Sequence, residues 1–188
     1  MRVYDIESFL EWVRQGGRPK YIFFWGHTAA GQSAVGKQCF SQWWPASFEV
    51  DGTRYPTAEH FMMAEKARLF GDEEVRARIL DAPNPGAAKK LGREVRGFDD
   101  ARWNEQCFEI VVRGNSAKFG QNPELRSFLV GTGERVLVEA SPVDRIWGIG
   151  LAEDDVRAEN PEQWRGLNLL GFALMKARDL LQEVERIG

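Results

Sequence analysis

A carboxylate and an amine share one face of a predicted helix in the first third of the chain. Thr57 is a good N-cap residue, and Glu59, Met62, Met63 and Lys66 follow at helical spacing on a single face. A carboxylate there could stabilise positive charge or activate water, and an amine could attack a carbonyl carbon. In the structural alternative, Glu59 complements the helix N-terminus and Lys66 extends to solvent. Periodicity alone favours that alternative.

A second dense stretch, SPVDRIWGIG (141–150), follows a predicted strand. Gly148 and Gly150 permit close backbone approach, the indole of Trp147 offers a flat stacking surface, and the Asp144 carboxylate could bind sugar hydroxyls or steer a water molecule. A tight turn with Trp147 in the core explains the same residues equally well.

A third set of residues flanks predicted helix ends. Trp103 opens one helix and Lys118 closes it, whereas Arg165 precedes the last helix. A basic group near a helix N-terminus suits a phosphate. Asn168, at the start of that last helix, could instead serve only as its N-cap.

Several familiar motifs are not supported. The stretch GQSAVGK (31–37) has P-loop glycine and lysine spacing, but Gln38 stands where the metal-binding hydroxyl is needed. The chain also lacks the short ligand spacings of a zinc site that would use His27, Cys39, His60 and Cys107. We therefore expect metal-independent chemistry without a cofactor.

The composition indicates a globular protein with an unusual number of indoles. The chain has 188 residues, a formal charge of −3 and 12% aromatic residues, including seven Trp. No apolar run approaches the length of a membrane span and no signal peptide is evident, so we expect a cytoplasmic protein with reduced cysteines and no membrane partner. The negative charge argues against non-specific binding to nucleic acid. The composition does not indicate an oligomeric state.

The elements that must position these residues are mostly helical. We expect a leading helix over 3–16, a strand over 20–26, a loop over 29–38, a hairpin turning at Asp51-Gly52 and a strand over 135–139. Further helices are predicted after Thr57, Asp99 and three Asn-Pro pairs, and the last helix carries a clear apolar stripe. The fold class is therefore α+β and predominantly helical, with a few short strands in one domain spanning 1–188.

Five segments, taken in order, resemble the NADAR, or YbiA-like, family of N-glycosidases. They span most of residues 21 to 182, and one departure is FSQWWP where the family more usually has an aromatic-rich S-N-F form. The segments are FSQWWPASFEVDGTRYPTAEHFMMAEKARLFGD (40–72), AKKLGREVRGFDDARW (88–103), AKFGQNPELRSFLVGTG (117–133), LVEASPVDRIWGIG (137–150) and RGLNLLGFALMKAR (165–178).

The resemblance implies a compact YbiA-like domain that hydrolyses the bond between a ribose and an amino-substituted heterocycle. The expected substrate is a small ribosylamine phosphate, an aminopyrimidine intermediate of riboflavin synthesis. The alternatives are removal of ADP-ribose from guanine in nucleic acid, or a non-catalytic module that binds ADP-ribose or a nucleotide.

The resemblance also assigns site residues. Glu59, Trp103, Asp144 and Trp147 match family positions tied to activity, and Lys66, Lys118 and Asn168 match further motif positions. We expect Glu59 to act as the base or charge-stabilising group and Asp144 to orient ribose or water, with an imine on Lys66 as an alternative. Trp103 or Trp147 would stack on the heterocycle and Lys118 or Arg165 would hold the phosphate, while Gly148 and Trp44 complete the predicted pocket.

Overall fold

The computed structural model describes residues 2–26 and 35–187, and it confirms a predominantly helical α+β fold with a few short strands. Residues 29–34 of the predicted loop lie outside the described residues, and Lys37–Phe40 and Pro161–Gln163 form 3₁₀ turns. The helices and strands are, in chain order, α1 (Ile6–Arg14), β1 (Tyr21–Phe24), β2 (Phe48–Val50), β3 (Thr53–Tyr55), α2 (Ala58–Leu69), α3 (Glu73–Leu80), α4 (Pro85–Leu91), α5 (Asp100–Gln121), α6 (Pro123–Val130), β4 (Val136–Glu139) and α7 (Leu169–Ile187).

The chain divides into two compact units. We call Met1–Ser41 with Glu124–Gly188 the terminal unit and Gln42–Pro123 the central unit. The expectation of one domain over 1–188 stays a prediction. Across the described residues, no helix combines the length and the apolar character that crossing a membrane would require.

A parallel strand pair forms the centre of the terminal unit. β1 and β4 pair in register from Tyr21 opposite Val136 to Phe24 opposite Glu139. Helix α7 packs against β4, whose residues Val136 to Val138 are fully buried. The ring of Phe9 on α1 contacts Phe172 of α7 at 5.9 Å between centroids, so the leading helix joins the same core.

The central unit opens with the predicted hairpin. Asp51 and Gly52 both have positive φ, 50° and 73°, as a two-residue type I′ turn requires. The turn brings Phe48 opposite Tyr55, and the Tyr55 ring meets Phe61 of α2 edge-on at 5.0 Å. The hairpin therefore docks on α2 through aromatic rings.

Helix α2 is surrounded by α3, α4 and α5, and two glycines allow this packing. A Cβ at Gly92 would lie 2.1 Å from the Met63 sulfur, and one at Gly114 would lie 2.6 Å from the Phe61 ring. Because neither glycine has a side chain, the helical segments can approach α2 closely.

Local capping follows the sequence with two differences, one of which is that Asn160-Pro161 opens only the 3₁₀ turn Pro161–Gln163. The side chains of Thr57, Asp99 and Asn84 accept the predicted N-cap hydrogen bonds of α2, α5 and α4. Asn122 instead follows α5 as its C-cap, where its amide donates to the Lys118 carbonyl at 2.7 Å. Helix α6 nevertheless begins at Pro123, as its fixed φ predicts.

Candidate functional site

Glu59 is a buried carboxylate in the first turn of α2. Its side chain is 3% exposed, and its backbone N–H donates to the Gln42 carbonyl at 3.0 Å. Thr57, two residues earlier, caps the helix through its hydroxyl. The position combines burial with the positive end of the helix dipole, which favours a carboxylate there.

Gln42 also connects the start of α2 to α5. Its side-chain oxygen accepts a hydrogen bond from the Asn115 amide at 3.0 Å, and that amide also donates to the Val111 carbonyl at 2.9 Å. Asn115 is fully buried, and Lys118 lies one turn further along the same helix and is also fully buried. Lys118 is therefore an enclosed ammonium-bearing side chain, whereas lysines usually lie at the surface.

Sequence reasoning missed Gln42 and Asn115 as supports of this region. The sequence did contain a signal for Asn115, because it lies among the apolar positions of α5 between Val112 and Phe119. A polar residue at such a position needs buried hydrogen-bond partners. No comparable signal marks Gln42.

Lys66 lies in an aromatic environment. Its Nζ donates to the Gly92 carbonyl at 2.9 Å and lies 4.1 Å from the ring centre of Phe98 and 5.7 Å from that of Trp103. Burial lowers the pKa of Lys66, with Asp100 opposing this shift. The structure thus brings together the predicted residues Lys66 and Trp103, and it adds Phe98, which sequence reasoning missed.

Trp44 is a half-buried residue just before the hairpin of the central unit. Its neighbour Trp43 lies near α4, and the ammonium of Lys89 on that helix is 6.0 Å from the ring centre. The predicted role of Trp44 in the pocket stays a prediction.

In the terminal unit, Asp144 shapes the loop that follows β4. One carboxylate oxygen accepts the N–H groups of Ile146 at 2.9 Å and Trp147 at 2.8 Å, and the Asp144 N–H donates to the Ser141 hydroxyl at 3.2 Å. Asp144 and Trp147 are both half-buried. The carboxylate therefore fixes the backbone that carries Trp147.

Gly148 and Asn168 hold this loop against β4. A Cβ at Gly148 would lie 2.8 Å from the Glu139 carbonyl, so only glycine fits. The Asn168 side chain donates to the Leu137 carbonyl and accepts from the Glu139 N–H, both at 2.9 Å, and its backbone N–H donates to the Gly148 carbonyl at 3.2 Å. Asn168 is fully buried and has a left-handed φ of 54°. It positions the loop, and its predicted contact with substrate stays a prediction.

Arg165 is exposed beside the same loop. Its backbone N–H donates to the Ile149 carbonyl at 2.9 Å. Hydrogen bonds from Arg157 hold the pKa of Asp155 well below its usual range, and the charge of Arg165 adds a smaller effect. The predicted contact of Arg165 with a phosphate stays a prediction.

The predicted site residues divide between the two units. The central unit contains Trp44, Glu59, Lys66, Trp103 and Lys118, and the terminal unit contains Asp144, Trp147, Gly148, Arg165 and Asn168. Within the units, the structure brings together Lys66 with Trp103, Asp144 with Trp147, and Gly148 with Asn168.

The residues considered for zinc serve other purposes where they are described. The His60 ring contacts the Thr57 hydroxyl at 2.8 Å and the Ala82 carbonyl at 3.1 Å, and burial lowers its pKa. His27 and residues 31–34 of GQSAVGK lie outside the described residues. In the part of the chain that is described, no three His, Cys, Asp or Glu side chains are grouped as metal ligands. Independence from metal stays a prediction.

Comparison with known proteins places the chain in a family. The NADAR domain profile matches residues 23–182. The chain is 43% identical over 169 residues to N-glycosidase R617 of Acanthamoeba polyphaga mimivirus, covering 87% of this chain and 98% of that protein. It is 33% identical over 138 residues to N-glycosidase YbiA of Escherichia coli K12, covering 73% of this chain and 76% of that protein.

A solved structure agrees with these relatives. The NMR structure of the Escherichia coli protein YbiA superposes with a TM-score of 0.71 and 27% identity, over 91% of this chain and 89% of that chain. The chain therefore belongs to the NADAR domain family and is a hydrolase that acts on N-glycosyl compounds.

Proposed function

We propose that the protein hydrolyses the N-glycosidic bond between a ribose phosphate and an aminopyrimidine, the kind of intermediate formed in riboflavin synthesis. One relative supports this substrate class. The Riboflavin biosynthesis protein VVA0006 of Vibrio vulnificus is 32% identical over 143 residues, a match that covers 76% of this chain and 35% of that longer protein. The single structural observation that supports the reaction is the burial of the Glu59 carboxylate at the start of α2.

The reaction requires stabilisation of positive charge on a sugar carbon. As the bond between C1 of the ribose and the exocyclic nitrogen breaks, C1 acquires oxocarbenium character. In our proposal Glu59 stabilises that charge and accepts a proton from the water whose oxygen bonds to C1. The departing nitrogen takes the bonding pair and a proton, so the products are ribose 5-phosphate and the free amine.

Lys66 offers a covalent variant of the same hydrolysis. Its amine would add to C1 of the ring-opened substrate imine, expel the aminopyrimidine, and leave a lysine imine that water then hydrolyses. The lowered pKa of Lys66 supports this route, because only the neutral amine is a nucleophile. Reduction with borohydride during turnover distinguishes the two routes: a ribose phosphate adduct on Lys66 supports the imine, and an unmodified protein excludes it.

The remaining predicted residues would bind the substrate. Trp103 or Trp147 would stack on the heterocycle, and Lys118 or Arg165 would meet the phosphate. Asp144 would orient ribose hydroxyls or the water with the carboxylate oxygen that does not hold the turn.

The test is a matched pair of substitutions on one helix. We expect Glu59→Gln to lower kcat about a thousandfold while KM stays within about tenfold, since the lost charge acts in the transition state. Glu65→Gln is the control, because Glu65 is a second buried glutamate of α2, and it pairs with Arg68 at 2.9 Å. Normal turnover by the Glu59 variant would overturn the proposal.

The substrate is settled by comparing two release assays on the wild-type protein. We expect ribose 5-phosphate release from the aminopyrimidine ribosylamine phosphate to exceed ADP-ribose release from modified guanine. The formal charge of −3 favours the small substrate, because a nucleic acid is better met by a basic surface. Faster ADP-ribose release would instead identify modified guanine as the substrate. No release in either assay would favour the alternative that the protein binds ADP-ribose or a nucleotide without hydrolysing it.

A further inference from the structure

A cleft in the terminal unit is lined by residues that take no part in the site above. Its volume is about 440 Å³, which is within the range of small-molecule pockets. Its walls are Trp12 of α1, the segment Arg18–Lys20 that leads into β1, and the turn 131–135 that leads into β4. The cleft therefore lies at the amino ends of the parallel strand pair.

Strand register places two cations side by side in this cleft. Lys20 and Arg135 immediately precede the paired residues Tyr21 and Val136, and the Val136 N–H donates to the Lys20 carbonyl at 2.8 Å. Neighbouring in-register residues on one face of a sheet lie close together, so their like charges repel. An anion between them would relieve that repulsion.

A third cation adds to this positive charge. Arg18, also in the lining, is two residues from Lys20, the spacing of one face in an extended chain. Both side chains are exposed, and within residues 2–26 and 35–187 neither has an ion pair. Their charges are therefore available to a ligand.

One carboxylate, that of Glu134, also lines the cleft, so the lining carries one negative charge against the positive charges of Arg18, Lys20 and Arg135. The Arg178 guanidinium donates to the Thr132 hydroxyl at 2.8 Å and the Arg135 carbonyl at 2.9 Å, which fixes the turn. The cleft is thus locally positive on a chain whose formal charge is −3.

Trp12 supplies a flat apolar wall opposite these charges. A Cβ at Gly17 would lie 2.4 Å from the indole, so the glycine backbone lies against the ring and holds it in place. The Phe9 ring stacks at 6.0 Å between centroids, and Trp12 remains half-buried. These two contacts cover part of the ring, so a heterocycle whose phosphate the cations bind would contact the part of the indole that stays exposed.

We propose that this cleft binds a free nucleoside monophosphate, with the base on Trp12 and the phosphate between Lys20 and Arg135. The volume suits one nucleotide rather than a strand. Trp12, Arg18 and Lys20 precede residue 23, where the NADAR profile match begins, whereas residues 131–135 of the lining lie within that match. The site is independent of the proposed hydrolysis.

The test follows the Trp12 indole N–H signal in nitrogen-15 NMR spectra, assigned by its absence from a Trp12→Phe variant. AMP, adenosine and inorganic phosphate are the probes. We expect AMP to shift the signal, and adenosine and phosphate to require at least tenfold higher concentrations for the same shift. An unmoved signal, or equal responses to AMP and adenosine, would overturn the proposal.

Charge-matched variants complete the test. Lys20→Ala with Arg135→Ala should weaken AMP binding at Trp12 at least tenfold, whereas the control Lys90→Ala with Arg54→Ala, two exposed cations of the central unit, should not change it. The same spectra show that each variant is folded. If both pairs of substitutions weakened AMP binding equally, the effect would come from net charge and not from this cleft. If a ten-nucleotide single strand bound tenfold tighter than AMP, the ligand would be a nucleic acid strand. Either outcome overturns the proposal.

Discussion

Replacing Asn168 with alanine should strongly destabilise the terminal unit. The side-chain amide bonds the Leu137 carbonyl and the Glu139 N–H, both at 2.9 Å, and Leu137 and Asn168 are fully buried. Water cannot readily replace a partner in such a place, so alanine leaves two backbone groups of β4 unsatisfied.

The magnitude follows from those two groups and the backbone conformation. Each unsatisfied buried group costs about 1–3 kcal/mol, and the left-handed φ of 54° adds about 1 kcal/mol for alanine. We therefore expect Asn168→Ala to lower the free energy of unfolding by about 3–7 kcal/mol. Asn168→Gly loses the same hydrogen bonds without the left-handed penalty, so it should cost about 1 kcal/mol less.

Urea denaturation followed by circular dichroism measures both values. The control is Asn160→Ala, because Asn160 caps only the exposed 3₁₀ turn and should cost about 1 kcal/mol. If the m-value, the dependence of the free energy of unfolding on urea concentration, is unchanged, then the shift in midpoint measures the change in stability. A cost below about 1 kcal/mol for Asn168→Ala would refute the bridging role, and equal costs for alanine and glycine would refute the contribution of backbone conformation.

Three further predictions concern the central unit. Gly114→Ala should cost about 1–3 kcal/mol in urea denaturation, because the new Cβ would lie 2.6 Å from the Phe61 ring; an unchanged midpoint would contradict this packing. Arg96 holds the pKa of Asp72 well below its usual range, so this pair stabilises the fold above pH about 4, and the stabilisation is lost as pH falls through the lowered pKa. Asp72→Asn should therefore make the free energy of unfolding depend less on pH in the acid range. An unchanged pH dependence there would contradict this prediction. Burial lowers the pKa of Lys66, so its neutral amine should react with a methylating reagent at a lower pH than exposed lysines do, as peptide mass spectrometry would show; the same pH dependence for all lysines would contradict it.

Local features of the fold could be predicted from the sequence because they depend on neighbouring residues. Asp51-Gly52 specifies a turn with two positive φ values, and Thr57 and Asp99 supply caps to N–H groups three residues ahead. Asn122 shows the limit of this reasoning. It precedes a proline as the N-caps Asn84 and Asn160 do, but the end of a long preceding helix competes for its amide.

Long-range pairings had no such local signal. The pairing of β1 with β4 joins residues more than a hundred positions apart, and parallel pairing is specified by packing rather than by a turn. The contact of Lys66 with Phe98 and the bridge from Gln42 to Asn115 depend in the same way on how α2 meets its neighbours. These contacts complete the surroundings of the candidate residues, and only the structure supplies them.

Helix α2 buries polar side chains whose roles periodicity alone does not separate. An amphipathic helix keeps charges on its outer face, but α2 buries Glu59, His60 and Glu65 together. His60 bonds the Thr57 hydroxyl and Glu65 pairs with Arg68. Glu59 and Glu65 are both buried glutamates of α2. The difference in kcat between Glu59→Gln and Glu65→Gln therefore measures the effect of position on the helix. A kcat loss confined to the first variant would support a chemical role for Glu59, whereas equal losses would assign both carboxylates to the stability of α2.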